Sequence, residues 1–405
     1  MPLDIADYSS VLRHSRVRVV FGDGTLRKLG ALAVDEGATR VLLVTDPGIV
    51  RAGHAQRAMD SLREAGVEVT LFDGACENPT TREVDAGLHI ARELGIDFLV
   101  GLGGGSSMDC AKGINFLLTN GGEMMDYWGV NKATQPMLPL ICVPTTAGTG
   151  SEAQSFALIT DPDTHQKMAC GDEKALPRVA ILDPELIATV PHGVAAATGI
   201  DAVAHAIETA GCKKRTAVSR ELSVAAWGLL EPAFEKIISE AERSTPSPSK
   251  GEGRGEGDER RMNLSNSEPT MARARASMLL GAHLAGAAIE KSMLGAAHAC
   301  ANPLTARFNI THGISVGLML PHVIRFNAAV GENPYHDLAD AKNLARRVEF
   351  MLAAAKLPRC LSDVSVSRNS IAALADMAAE QWTAKFNPRH VESADMQRLY
   401  ELALE

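Results

Sequence analysis

The chain has 405 residues, enough for two domains that each bury a core. A net charge of −9 argues against a nucleic-acid partner, and 46% hydrophobic with 22% charged residues is the balance of a globular chain rather than a disordered one. No apolar run reaches the roughly 18 residues that a membrane helix needs, so no membrane partner is expected.

Apolar, β-branched runs at 16–21, 40–45, 67–72, 98–102 and 138–143 predict strands. Helical patterns at 26–36, 56–65, 80–94 and 108–118 alternate with them. This repetition implies an α/β domain with a parallel, Rossmann-like sheet flanked by helices. Such sheets bind ligands beyond the carboxyl ends of their strands.

Three strand ends carry candidate chemistry. Asp46 follows the second strand. Its carboxylate suits a ribose diol and repels a 2′-phosphate, although Pro47 after it equally suits a helix cap. Gly103, Gly104 and Gly105 follow the fourth strand and open a helix beginning with Ser106, Ser107 and Asp109. Glycines let a backbone approach a phosphate at a helix N-terminus, yet three of them also make a plain tight turn. The loop 144–152 holds Thr145, Thr146 and Thr149, which suits wrapping a nucleotide or simply connecting two elements. A hairpin follows at 156–160 and 166–170, with Lys167 on its return strand, either meeting a phosphate or solvated.

Beyond about residue 184 the character changes to long Ala/Leu helices at 193–209, 220–240, 271–294, 313–328 and 338–355. The expected division is an NAD-binding α/β domain over 1–183 and an all-helical metal-binding domain over 184–405. A disordered insertion is expected at 244–268, because 244–261 is rich in Pro, Ser, Gly and charge, with nothing apolar to bury.

The helical half contains Asp201 and His205, four apart and so on one helix face, then His298 and His312. Any one of these histidines is readily explained as structural. Together, one carboxylate and three imidazoles make a site for Fe²⁺ or Zn²⁺. The start of the chain lacks a basic and apolar leader, and the seven cysteines form no Cys-x-x-Cys pair. Both features fit a cytoplasmic protein with free thiols.

Several motifs in order now point one way: 19–22 (VVFG), Glu77-Asn78-Pro79-Thr80, 103–112, 144–152, 181–185, 197–208, 311–322 and 385–389. Over nearly its whole length the chain resembles the iron-containing, metal-dependent group III alcohol dehydrogenases. The resemblance implies a dehydroquinate synthase-like architecture, with a cofactor domain, an all-helical metal domain and a cleft between. It implies that Asp201, His205, His298 and His312 hold the metal. Gly104, Gly105 and Ser106 correspond to the pyrophosphate loop. Asp46, Asn78, Thr145, Thr146, Thr149 and Lys167 correspond to cofactor contacts. The expected cofactors are NAD(H) in preference to NADP, and Fe²⁺ with Zn²⁺ as the alternative. The expected partners are a small alcohol or aldehyde and a second copy of the chain. Two features depart from the family: Asn302 stands where a histidine is frequent, and the 244–268 segment is foreign. Asn cannot serve as a general acid or base. The rival readings are a dehydroquinate synthase-like or glycerol dehydrogenase-like enzyme, and a non-catalytic nucleotide-binding module. The first calls for several Lys or Arg near the metal, and the metal motifs hold only Arg307.

Overall fold

The computed structural model describes residues 3–164, 166–244 and 268–405. The expected insertion therefore lies, but for its two end residues, outside the described residues. The strands are β1 Arg18–Phe21, β2 Arg40–Val44, β3 Glu68–Phe72, β4 Phe98–Gly103, β5 Gly129–Val130, β6 Leu140–Pro144, β7 Phe156–Thr160, β8 Lys167–Gly171 and β9 Val179–Leu182. The α-helices of the first half are α1 Ser9–Leu12, α2 Leu29–Asp35, α3 Pro47–Arg51, α4 His54–Glu64, α5 Thr81–Glu93 and α6 Gly105–Asn120. Those of the second half are α7 His192–Gly211, α8 Ala217–Ser244, α9 Glu268–Glu290, α10 Ala296–Phe308, α11 His312–Ala328, α12 Ala341–Ala354, α13 Ile371–Glu380 and α14 Ser393–Leu402.

Six strands form one parallel sheet in the order β1-β9-β6-β4-β2-β3. β4 and β6 are buried along their whole length, as expected of strands covered on both faces. From β2 the chain moves outward to β3, then returns to β4 and proceeds to β6 on the other side. The direction of winding thus reverses between β2 and β4. Such a switch point opens a crevice at the carboxyl ends of the strands. Asp46 and the Gly103–Gly105 turn lie at that reversal. The hairpin β7–β8 and the short β5 form a separate three-stranded sheet.

The helical half is built around α7, which is buried from Gly199 through Gly211 and has apolar or small residues on nearly every side. A helix that is apolar all round belongs in a core. Helices α8, α9 and α11 pack against it.

Some elements differ from the sequence expectation. β9 lies between β1 and β6, at a place where composition marks only a boundary. Its four residues are defined by pairing with these two strands. The helix expected at 26–36 is split into a 3₁₀ turn, Thr25–Lys28, and α2. The Asp183 carboxylate explains the turn: it accepts from Gly24 N at 2.9 Å and Leu26 N at 3.0 Å. Helix α10, which carries Pro303, is not among the helices expected from the sequence.

Candidate metal centre and cofactor cleft

Helix α7 projects Asp201 and His205 from one face, one turn apart. Helix α10 brings His298 from its first turn, and α11 brings His312 as its first residue. A Cβ on Gly313 would run into the backbone of Ala197, so a glycine there lets α11 seat His312 close to α7. Asp201 Oδ1 stands at the centre. It lies 3.4 Å from His298 Nε2, 3.5 Å from His205 Nε2 and 3.9 Å from His312 Nε2. Asp201, His298 and His312 present donor atoms all within 4.8 Å of one another. His205 joins through Asp201 and stacks on His298, ring centroids 4.9 Å apart.

These residues fit a divalent ion on three grounds. Four donors held tetrahedrally at about 2.1 Å stand about 3.4 Å apart, close to the shorter separations here. Among the described residues Asp201 Oδ1 and His298 Nε2 are buried without a hydrogen-bond partner, which is costly unless something else satisfies them. The electrostatics also favour positive charge. Burial would raise the Asp201 carboxyl, but the imidazoles of His205, His312 and His298 hold it well below the usual carboxylate range. Burial opposes charge on His298, yet Glu208 and Asp201 raise it to about 9. A metal ion satisfies that preference as a proton does. Burial instead pushes His312 down to about 3, against the pull of Asp201, which leaves its ring neutral with a lone pair to give. The side chains of Asp201, His205 and His298 are 4–6% exposed and that of His312 is 28% exposed. The open side of the cluster is therefore at His312.

The nucleotide-type residues cluster at the switch point. Thr45 Oγ1 donates to Leu102 O at 2.7 Å and ties the end of β2 to the end of β4. Asp46 divides its two oxygens between different partners. Its Oδ1 accepts from Gly48 N at 2.8 Å and Ile49 N at 3.1 Å, capping α3, while Oδ2 accepts from Ser107 at 3.2 Å. Gly104 precedes α6 and offers its first turn no side-chain cap, so those N–H groups remain open to an anion. Thr145 N donates to Gly103 O at 2.9 Å. Thr146 stands over Gly104, and a Cβ on Gly105 would meet Thr149 at 2.7 Å. Thr145 Oγ1 is buried and has no hydrogen-bond partner among the described residues. Asn78 N donates to Ser106 Oγ at 3.3 Å, and Lys167 Nζ donates to Asn78 Oδ1 at 2.9 Å.

Lys167 stands between the two groups of residues, bonded to Asn78 and within electrostatic reach of Asp201 and His312. Burial lowers its amine from the ordinary lysine value, and Asp109 and Asp201 oppose that. The same charge acts on His312. The threonine loop also touches the helical half directly. A Cβ on Gly148 would lie 2.5 Å from Thr198 Cβ of α7, and buried Glu152 pairs with buried His283 of α9 at 3.3 Å.

Two residues that matter here are not among the sequence candidates. Glu208 is buried beside His298, its Oε2 2.5 Å from Nδ1. It lies seven residues after Asp201, so helix periodicity was the signal available for it. Gln381 accepts from Asn302 Nδ2 at 2.9 Å. No periodic signal joins residues so far apart in the chain.

A doubly wound sheet whose switch point adjoins a buried carboxylate–imidazole cluster is the arrangement of a metal- and nicotinamide-dependent oxidoreductase. Residues 16–184 match the iron-containing alcohol dehydrogenase family, and residues 260–404 match the C-terminal part of the Fe-containing alcohol dehydrogenase family. The chain is 32% identical to alcohol dehydrogenase 4 of Schizosaccharomyces pombe, over 95% of this chain and 87% of that one. It is 30% identical to the NAD-dependent methanol dehydrogenase of Bacillus methanolicus, over 95% and 97%. Among solved structures, a 1,3-propanediol oxidoreductase superposes with TM-score 0.85 at 28% identity, covering 96% of this chain and 98% of that one. The sulfoacetaldehyde reductase of Bifidobacterium kashiwanohense in complex with NAD⁺ superposes with TM-score 0.81 at 26% identity, over 96% and 97%. The chain belongs to the iron-containing alcohol dehydrogenase family. It is a metal-dependent, NAD-linked oxidoreductase of alcohols and aldehydes. No helix among the described residues is long and apolar enough to cross a membrane.

Proposed function

We propose that Asp201, His205, His298 and His312 hold the catalytic metal, Fe²⁺ or Zn²⁺, and that the chain interconverts a small alcohol and its aldehyde with NAD(H). One observation carries this reading: a buried Asp201 Oδ1 with three imidazole Nε2 atoms at 3.4–3.9 Å. The cofactor lies along Asp46, Asn78, Gly104, Gly105, Ser106, Thr145, Thr146, Thr149 and Lys167. The support is their convergence at the switch point, with the open N-terminus of α6 for the pyrophosphate and the Asp46 carboxylate against a 2′-phosphate. We read 1–183 as the cofactor domain and 184–405 as the metal domain, since the last strand ends at Leu182 and the α-helices after it carry the cluster.

When bound, the ion supplies Lewis acidity to the substrate oxygen, and the nicotinamide supplies or accepts hydride. The protein supplies position. Asp201, His205 and His298 are shielded from water, and His312 borders the opening through which substrate reaches them. Lys167 places a positive charge between the cofactor residues and Asp201. Asn302, one turn after His298, gives a donor to Gln381 and carries no proton that it can exchange near neutral pH. Asn302 is therefore no general acid or base for the reaction.

The second copy and the cytoplasmic setting are proposals of the same kind. The edge strands β1 and β3 each leave one side without a partner strand among the described residues, and all seven cysteines are free thiols. Light scattering tests the dimer. The function is tested by stripping metal, reloading with Fe²⁺ or Zn²⁺, and following NADH oxidation against a panel of small aldehydes. Unchanged turnover in the stripped protein would refute the metal reading.

A further inference from the structure

We propose that Glu208 is the positioning residue that sets the tautomer of His298, making this imidazole the strongest donor to the ion. The proposal rests on the metal reading above. Glu208 lies on α7, seven residues after Asp201 and three after His205, and so faces the same way as both. It is buried, and its two oxygens are divided between two partners. Oε1 accepts from Ala297 N at 2.8 Å, and Oε2 lies 2.5 Å from His298 Nδ1.

Both contacts are at the start of α10. That helix begins after Gly295, which offers no side-chain cap. Its first N–H groups are satisfied from elsewhere: Ala297 N by Glu208, and Ala296 N by Asn387 Oδ1 at 3.2 Å. A Cβ on Gly295 would sit 3.0 Å from both of those acceptor oxygens, so the glycine makes room for the pair. Asn387 is itself held by Asn327, which bonds the Tyr335 hydroxyl at 2.7 Å. The first turn carrying His298 is thus fastened from two sides.

The division of oxygens dictates the proton on His298. Ala297 N–H can only donate, so Oε1 must accept. A carboxylate accepts at Oε2 as well, so Nδ1 must be the donor. In the neutral ring that binds an ion the lone pair is then on Nε2, the atom that points at Asp201 Oδ1. A carboxylate behind an imidazole raises its basicity towards a metal. Among the described residues neither His205 Nδ1 nor His312 Nδ1 has a carboxylate partner; the backbone group that acts on the His205 ring is the neutral one of Gly148. The three imidazoles are therefore unequal, and one glutamate makes them so.

The test compares Glu208→Gln with Glu208→Ala. Gln keeps one acceptor oxygen for Ala297 N–H but turns an NH₂ towards Nδ1. That forces the imidazole proton onto Nε2 and removes the lone pair from the ion. Ala loses the cap of α10 yet leaves the imidazole free to choose its tautomer. Metal-stripped proteins are titrated with Co²⁺, followed by its visible absorption, alongside apo-protein melting and NADH fluorescence. We expect metal affinity in the order wild type, Ala, Gln, with Gln weaker than wild type by about 10–100-fold. Apo-protein Tm should follow a different order, with Gln near wild type and Ala lowest, and NADH affinity should be unchanged in both. A purely structural Glu208 gives one order for both readouts, with Ala worst. That result, or a Gln variant with wild-type Co²⁺ affinity, overturns the proposal. A wild-type protein that binds no Co²⁺ overturns the metal reading itself.

Discussion

Gly150 and Gly286 meet backbone against backbone: a Cβ on Gly150 would stand 2.6 Å from Gly286 Cα, and one on Gly286 would stand 2.5 Å from Gly150 O. Gly150 belongs to the loop of Thr145, Thr146 and Thr149, and Gly286 to α9. Glu152 and His283 pair beside them. The threonine loop is therefore seated on the helical half by the absence of two side chains.

Gly150→Ala should unseat it. The residue has φ +63°, which a Cβ disfavours, and no space for the methyl group. The expected loss of stability is about 1–3 kcal/mol by urea unfolding. NADH affinity should fall with it, because Thr149 is the adjacent residue. Wild-type stability and NADH binding in this variant would show that the loop is not held by this contact.

His298→Ala or Asp201→Ala should abolish metal binding and turnover while leaving NADH binding intact. The candidate ligands all lie after residue 184 and the candidate cofactor contacts all before it. Metal analysis and NADH fluorescence on the same sample check this. Full activity in metal-free His298→Ala protein contradicts the assignment.

Asp46 governs cofactor choice in this reading, so wild type should show higher kcat/KM with NADH than with NADPH. Asp46→Gly should relax that preference and also lose the α3 side-chain cap, at a cost of about a few tenths of a kcal/mol. Asp46→Asn keeps an acceptor for Gly48 N and Ile49 N, loses the charge, and replaces the acceptor facing Ser107 Oγ with an NH₂ that this hydroxyl can accept. It should relax the preference with stability preserved. A wild-type preference for NADPH would sink the assignment.

Asn302→His puts a group of ordinary pKa about 6.5 one turn from His298, where Asn302 has nothing to titrate. The kcat–pH profile of the variant should gain a limb absent from wild type. Superimposable profiles would place position 302 outside any proton path.

Much of this protein is legible along the chain. Parallel strands buried on both faces read as apolar runs, and β2, β4 and β6 do so plainly. Asp201 and His205 declare themselves as a pair because helical residues four apart share a face. The same periodicity reaches Glu208, whose importance is nevertheless invisible in the sequence, since its partner His298 is ninety positions away. Asp46 illustrates the limit differently: sequence presents ribose contact and helix cap as alternatives, and the structure shows a carboxylate whose two oxygens face two different partners. β9 and α10 are not read from the chain, although β1 is as short as β9 and α8 and α11 also carry prolines. Their definition comes from neighbours, β1 and β6 for one, Glu208 and Asn387 for the other. Local periodicity fixes which side chains share a face of one element. Which faces meet is decided by packing between elements, where contacts as close as Gly150 on Gly286 or Gly313 on Ala197 admit only one seating.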